Sequence, residues 1–542
     1  MDDREIRESL PQCAVDYIDV VAKKVRYRRR VRAEVRQELA DHFTDALHGI
    51  SDEQQRVEKA MALIKKFGDA AVLASLIRRG KKRCRPIWLK VFIRACQAAG
   101  IAFLALIAYI GLLLTGKPYI SVDYIAELNK LVKPTADESM NAQPYYEKAV
   151  ALLKPEPNDL PRQWEGELTA EQVTAVRQWV AECAPAAEEI RKGNERPYAW
   201  QRYRSSDGSM LGVELPQVGK QRKLVEYMGW RAWVHAQDRR FDEAFDDMMQ
   251  CCLLGQHIES KSVLVEQLVA VAVESYAVKH ARHVMTMPGV TAESLARFQA
   301  EYESVLAKSD FRMYYDGESM FMKDTIQRTH TKSGRVAPLA MGRFVQLSGS
   351  AGGLDRELSA YDTVGAAAVG TFMALTQHGD KEAMLRSVDD FYNRAQQTAA
   401  MTPYQARTVS PSFEEVFERL RGMSRLLEFL LPAIERTIDI SWRTDADCHA
   451  LVAQIALERY RREKGVYPES LAEVQQAGYL KEIPMDPWSN GPLVYRRTDE
   501  GYTLYSVGTN FTDDGGKSVN SNGDAVRPPS LNALDIVFWP VQ

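Results

Sequence analysis

The sequence predicts a mainly α-helical protein that crosses a membrane once. Its expected parts are an N-terminal helical domain, one transmembrane helix, an extracytoplasmic region of α-helical hairpins and a small C-terminal α+β head. Three observations carry this. The 22-residue run Ala95–Gly116 contains no charged residue, and only Gln97 and Thr115 in it are clearly polar. On both sides of it, apolar residues recur at the i, i+3, i+4 spacing of amphipathic helices. From Asp445 onward the pattern changes to a capped helix, a turn marked by Pro and Gly, and short segments that read as strands.

At about 1.5 Å per residue, the run 95–116 is long enough to cross a hydrocarbon layer of roughly 30 Å. Trp88 and Tyr119 stand just outside it, where an interfacial aromatic belt forms. A buried core helix would carry a polar stripe, and a cleaved signal peptide would not follow 94 residues that read as folded. Charge sets the orientation. Residues 1–94 hold 22 Lys/Arg and 14 Asp/Glu, a balance of +8; the remaining 48 and 59 give −11, and the two sum to −3. Arg78, Arg79, Lys81, Lys82, Arg83, Arg85, Lys90 and Arg94 crowd the basic juxtamembrane segment 81–94 and its approach, whereas Lys117 is followed by Asp123 and Glu127. The positive-inside rule places residues 1–94 in the cytoplasm and the larger part outside. Lipid headgroups explain a basic run beside a bilayer, so membrane lipid is the expected partner and nucleic acid is not.

Residues 1–80 read as short helices. Leu39, Phe43 and Leu47 form an i, i+4 line with His42 and Asp45 turned away. Gly49–Ser51 offers the cap of the next helix, which has Asp52 and Glu53 in its first turn, carries Val57, Ala60, Met61 and Ile64, and stops near Gly68. A last helix runs from about Asp69 to Gly80. The stretches VRQELADHFTDAL and EKAMALIKKFGDAAVLASLI, through Glu38, Leu39, His42, Gly68 and Asp69, resemble the small helical prefix domains before membrane spans of bacterial permeases and regulators. That resemblance implies an interaction module rather than a catalytic one. Glu38 and His42 share a helix face as a surface pair.

Residues 140–440 predict an extracytoplasmic α-helical domain. Asn141–Leu153 is a short amphipathic helix, Pro155, Pro157 and Pro161 mark a loop, and Thr169 opens a helix. Leu224, Met228, Trp230 and Trp233 lie on one arm of a hairpin, Asp238–Arg240 make its turn, and Phe241–Ile258 is the second arm. The segment DRRFDEAFDDM is similar to the turn and second helix of a tetratricopeptide repeat, without the period of about 34 residues that an array needs. Helices Val263–Met285 and Ala292–Ala307 follow. The Gly-rich excursion 331–380 has little periodicity and reads as a long surface or mobile loop, with Val364–Leu375 too short to span. Phe413, Val416, Phe417, Leu420, Leu427, Leu430, Leu431 and Ile434 form a helical stripe expected to pack within the domain.

In the C-terminal module, 445–542, helix Ala446–Lys464 ends in ALERYRREKGVYPESLAEV, with Gly465 as its left-handed cap and Pro468 blocking continuation. Ser470 caps a helix Leu471–Ala477. A turn from Pro487 to Gly491, a strand with Leu493, Val494 and Tyr495, a turn at Gly501 and the strand YTLYSV lead to a closing Asp535-Ile-Val-Phe-Trp. This text closely resembles the globular head of type II secretion major pseudopilins. Tyr460, Arg461, Gly465, Tyr467, Pro468, Leu471, Leu480, Pro484, Asp486, Pro487, Trp488, Tyr495, Leu504, Tyr505, Ser506, Gly508, Asp535, Ile536 and Trp539 match as they stand. The resemblance implies a calcium site in the loop before the last strand. Hard cations need several oxygens, and Asp513, Asp514, Asp524 and Asp535 are the carboxylates at hand, with Asn510, Ser518 and Asn520 nearby. Asn510 stands where an acidic residue is usual, and the loop is longer than the family's. The N-terminal stalk signature of the family is missing, so pilus assembly is not implied.

No motif predicts catalysis. Gly365 to Gly370 has the gap of a phosphate loop without its Lys, Gly208-Ser209 lacks the order of a nucleophile elbow, and no H-E-x-x-H occurs. His280 and His283 read as surface histidines rather than metal ligands, and Glu165, Glu167 and Glu171 form no assignable carboxylate pair. Cys183, Cys251, Cys252 and Cys448 fall outside the membrane, where a bridge from Cys183 or Cys448 to the adjacent pair would suit an oxidising compartment. The expected function is that of a non-enzymatic single-pass bacterial inner-membrane protein presenting a helical scaffold and a pseudopilin-like head for secretion-related or envelope protein contacts. The alternative is a transmembrane signalling regulator relaying an outside signal to residues 1–80, and an enzyme within 140–440 is the third reading.

Overall fold

The computed structural model describes the chain apart from residues 1–2, 26, 28, 84–86, 159, 162–163, 165–166, 259–262, 349–364, 366, 373, 375–380, 422–433, 500, 518–533 and 541–542. It is mainly helical, 67% helix against 5% strand. Two compact units divide it, Met1–Gly111 and Leu112–Gln542.

The first unit contains α1 (Asp3–Ser9), α2 (Gln12–Lys24), α3 (Arg29–Leu47), α4 (Glu53–Phe67), α5 (Ala70–Arg83) and most of α6 (Ile87–Leu114). On α2, Ala14, Val15, Ile18, Val21 and Ala22 are buried at the spacing of one helix face, and on α3 the line Leu39, Phe43, Leu47 is buried as its period requires. The cap of α4 is Asp52 itself, not the preceding Gly49–Ser51; its carboxylate accepts the Gln55 N–H at 3.3 Å. Of the apolar residues this helix carries, Met61 is 58% exposed. Val57, Ala60 and Ile64 follow the i, i+3, i+7 line, and Met61 stands about 100° away from Ala60. Asp69 starts α5 by accepting the N–H groups of Ala71 and Val72 at 2.7 and 3.2 Å. That helix continues past Gly80 to Arg83, since a glycine in an open helix costs propensity without forcing a stop. α6 begins eight residues before Ala95, because Trp88, Val91, Phe92 and Ile93 extend the helical run. Its stretch Val91–Leu112 has mean hydropathy 2.0 and is 0% buried, the one helix among the described residues long and apolar enough to cross a membrane.

The second unit continues with α7 (Tyr124–Val132), α8 (Gln143–Leu152), α9 (Ala170–Glu182), α10 (Ala184–Asn194), α11 (Pro216–Gln237), α12 (Phe241–Ile258), α13 (Leu264–Met285) and α14 (Ala292–Leu306). Then come α15 (Asp316–Thr329), α16 (Pro338–Ser348), α17 (Lys381–Ala399), α18 (Pro403–Ala406), α19 (Phe413–Arg421), α20 (Ile434–Lys464) and α21 (Leu471–Gln476). Thr169 opens α9 through a capping box with Gln172. The α11–α12 hairpin forms with its arms and turn where the sequence places them, and Asp247 on α12 is buried against Arg231 and His235 of α11, each at 2.8 Å. α16 occupies part of the 331–380 stretch, so that stretch is not loop throughout; Ala337, Met341 and Phe344 are buried at helical spacing. Leu427, Leu430 and Leu431 lie outside the described residues.

Three strands, β1 (Val494–Arg497), β2 (Tyr502–Ser506) and β3 (Ile536–Trp539), form one antiparallel sheet in the order β1-β2-β3. Val494 pairs with Tyr505 and Arg497 with Tyr502, while Ser506 pairs with Ile536 past an irregularity at Leu504/Tyr505. The sheet does not have a core of its own. Leu504, Phe538 and Trp488 share one apolar cluster with Leu224, Met248, Val284 and Phe298 of α11 to α14. A second cluster gathers Met322, Met341, Phe391 and Ile438. α20 serves both, with Ile434 and Ile438 in the second cluster and Ala446 to Tyr460 in the first. The expected border at 440–445 thus falls inside a continuous helix, where nothing breaks the turn and Arg443 bridges to Asp439 at 2.6 Å.

Candidate functional site

The motif residues of the C-terminal module are spent on one another. Asp486, buried, accepts the Trp488 N–H at 3.0 Å, the Ser506 hydroxyl at 2.7 Å and the Val507 N–H at 3.0 Å, which locks the Pro-rich turn to the end of β2. Glu458 on α20 accepts the Tyr467 hydroxyl at 2.5 Å, Arg461 at 3.0 Å, and Arg462. Tyr460 donates to Glu473, and Tyr495 donates to the Pro468 carbonyl at 2.7 Å. Gly508 has φ +68° with the Leu534 carbonyl 2.8 Å from where a Cβ would stand, so only glycine fits this turn.

Of the expected calcium ligands, Asp513, Asp514 and Asp535 each take hydrogen bonds within the module. Asp535 is buried and accepts the N–H groups of Asp514, Gly516 and Lys517 at 3.2, 2.6 and 3.3 Å. Burial raises its pKa, with those N–H groups opposing and the Asp514 charge adding to the rise. Asp513 turns to the Tyr505 hydroxyl at 2.8 Å, the Gly515 N–H at 2.9 Å and Arg496 at 2.7 Å. Burial works against ionisation of Asp513, and these partners outweigh it to lower its pKa. Asp514 receives the Asn510 amide at 2.7 Å. Asp524, Ser518 and Asn520 lie outside the described residues. Among the described residues, no three His, Cys, Asp or Glu side chains gather as a metal site.

A cavity of about 1140 Å³ lies elsewhere in the second unit, along α13. Leu268, Val269, Ala272 and Val273 of α13, Val225 and Trp230 of α11 and Ile440 of α20 give it apolar walls, and Glu156, Arg222, Glu226 and Lys279 give it ionic groups. Arg222 bonds Glu226 at 2.9 Å. Burial and then the Glu226 charge push the Glu156 carboxyl up, while the Trp230 indole and Arg222 oppose. Ser275 of the lining shares its hydroxyl with Thr444 at 3.3 Å. The lining can hold a ligand with polar and apolar parts.

Close by, His280 is buried, not a surface residue: its ring lies 4.0 Å from the Trp164 ring and 4.2 Å from that of Tyr276. Burial first, then Lys279 and His283, bring its pKa down to about 3. The i, i+3 spacing puts it on a face of α13 that other aromatic residues cover, which spacing alone does not reveal. Cys183, Cys251, Cys252 and Cys448 are buried free thiols, with no bridge among them. Sequence reasoning missed the cavity because Glu156 comes from a loop and its partners from two helices. The i, i+4 pair Arg222–Glu226 was its one readable signal.

The fold is thus a helical unit holding an apolar helix and a second helical unit closed by a small sheet. Comparison with family models, with curated proteins and with solved structures finds no match to this chain.

Proposed function

We propose that the chain is a non-enzymatic, single-pass protein of a bacterial inner membrane, with residues 1–94 in the cytoplasm and the second unit outside. There it offers a helical scaffold and a pseudopilin-like head to envelope or secretion-related proteins. The observation that carries the reading is the helix Val91–Leu112, 0% buried and of mean hydropathy 2.0. Exposing so much apolar surface to water would cost about 25 cal/mol per Å², and a bilayer removes that cost. The charge imbalance of +8 before the helix and −11 over the rest supports the orientation. Support for the head comes from the order of helix, Gly465 cap, Tyr467-Pro468, capped short helix and antiparallel strands, in which the motif residues hold one another. Protease treatment of spheroplasts tests the topology. The expected result is digestion of the second unit with residues 1–94 protected; cleavage confined to residues 1–94 overturns it.

A further inference from the structure

We propose that the outward face of α5, formed by Val72, Leu76 and Arg79, docks on the anionic headgroups of the bilayer that α6 crosses, so that the cytoplasmic unit lies against the membrane surface. This rests on the single-pass reading above. α5 has two faces. Ala70, Leu73, Ala74 and Ile77 turn to the core of the unit, where Ala74 is buried and the others pack around it. Val72 and Leu76 are 58% and 56% exposed, and Arg79 continues their line one turn on, also exposed. At about 100° per residue, this second line falls on the opposite side of the helix from the first. The core accounts for one apolar line and leaves the other uncovered.

Chain continuity and charge select the occupant. α5 ends at Arg83 and α6 begins at Ile87, so the exposed line ends, at Arg79, eight residues before α6. Eight Lys/Arg and no Asp/Glu occur between residues 78 and 94. Each cation near an anionic leaflet strengthens binding about fivefold, and an apolar line beside cations is the composition of a helix lying in the interface. Trp88, 69% exposed at the start of α6, is an aromatic of the kind that anchors at headgroup depth. A second copy of this chain would bring the same cations to the contact and be repelled.

The test places a benzophenone photocrosslinker at Leu76 of the full chain in native membranes, with Ile101 in the span and exposed Glu58 on α4 for comparison. Phospholipid adducts are expected at Leu76 and Ile101 and not at Glu58. In vesicles of phosphatidylcholine alone, or with Arg78→Glu and Arg79→Glu together in phosphatidylglycerol-containing vesicles, the Leu76 adduct should fall at least about fivefold while the Ile101 adduct holds. Adducts at Leu76 to a second copy or to another protein, or no lipid adduct there while Ile101 is labelled, overturn the docking. Loss of lipid adducts at Ile101 overturns the single-pass reading along with it.

Discussion

Replacing Arg282 by alanine should destabilise the second unit as a whole. The guanidinium, 9% exposed, donates to the Gln454 side chain at 2.6 Å, to the Asp447 carbonyl at 3.1 Å and to the Asp447 carboxylate at 2.5 Å. Gln454, fully buried, then donates to the Phe538 carbonyl at 3.0 Å. One side chain on α13 therefore holds α20 and, through Gln454, β3. Its loss leaves the Gln454 oxygen buried without that donor and Asp447 without its counter-charge. Removing one partner of a buried ion pair costs about 3–5 kcal/mol, and water reaching the quarter-exposed Asp447 brings the figure to the lower end, about 3 kcal/mol. For a unit of this size that corresponds to a fall of roughly 3 °C in melting midpoint, read by circular dichroism of the detergent-purified chain. Arg461→Ala, on α20 and half-exposed, should cost under about 1 kcal/mol. A midpoint within about 1 °C of wild type for Arg282→Ala would refute the reasoning. So would a shift confined to one of two separate transitions, since sheet and helices would then not melt as one core.

Asp486→Ala leaves the Trp488 and Val507 N–H groups buried without their acceptor and should cost about 3 kcal/mol in thermal melts, with Asp486→Asn between it and wild type. At Gly229 a Cβ would stand 1.8 Å from the Tyr276 hydroxyl, so Gly229→Ala should lower stability by about 1–3 kcal/mol, and adding Tyr276→Phe should recover part of the loss. Burial lifts Glu274 to about 7, above its unfolded value, so its contribution is complete below about pH 4.5 and is lost as pH rises through 7. Burial holds His280 near 3 and His257 near 4, so theirs is complete above about pH 6.5 and is lost as pH falls through those values. Glu274→Gln should therefore gain about 3 kcal/mol relative to wild type between about pH 5 and pH 8 in melting series, and an equal effect at both pH values would refute it.

Local rules read well where the chain makes its own contacts. The caps at Thr169, Ser470 and Gly465, the α11–α12 turn and the line Leu39, Phe43, Leu47 all follow from side-chain type and spacing over a few residues. Tertiary burial was less legible. Met61 and Ala60 are neighbours in sequence, yet only the packing of α2 and α3 decides which one the core takes. His280 looked solvated until Trp164 and Tyr276 came to lie on it from a loop and its own helix. α16 was hidden because scattered glycines around it diluted a period that its own residues keep. At the expected calcium loop, composition offered four carboxylates, but composition does not tell which of them receive their own loop's N–H groups.

That last distinction bears on where partners can bind. In the C-terminal module, Asp486, Glu458, Tyr460, Tyr467, Ser506 and Asp535 each hold another part of the same module. Arg462 reaches out of it to the carbonyls of Met285 and Val290 at 3.0 and 3.1 Å, and Gln299 of α14 donates to the Tyr479 carbonyl at 2.8 Å. These motif residues therefore hold a shape and its attachment to α13 and α14. The side of the sheet layer facing those helices is consumed by the fold, so any protein it meets must be recognised through its outer side or through the helical region. Substitutions at the matched motif residues should accordingly act through stability first.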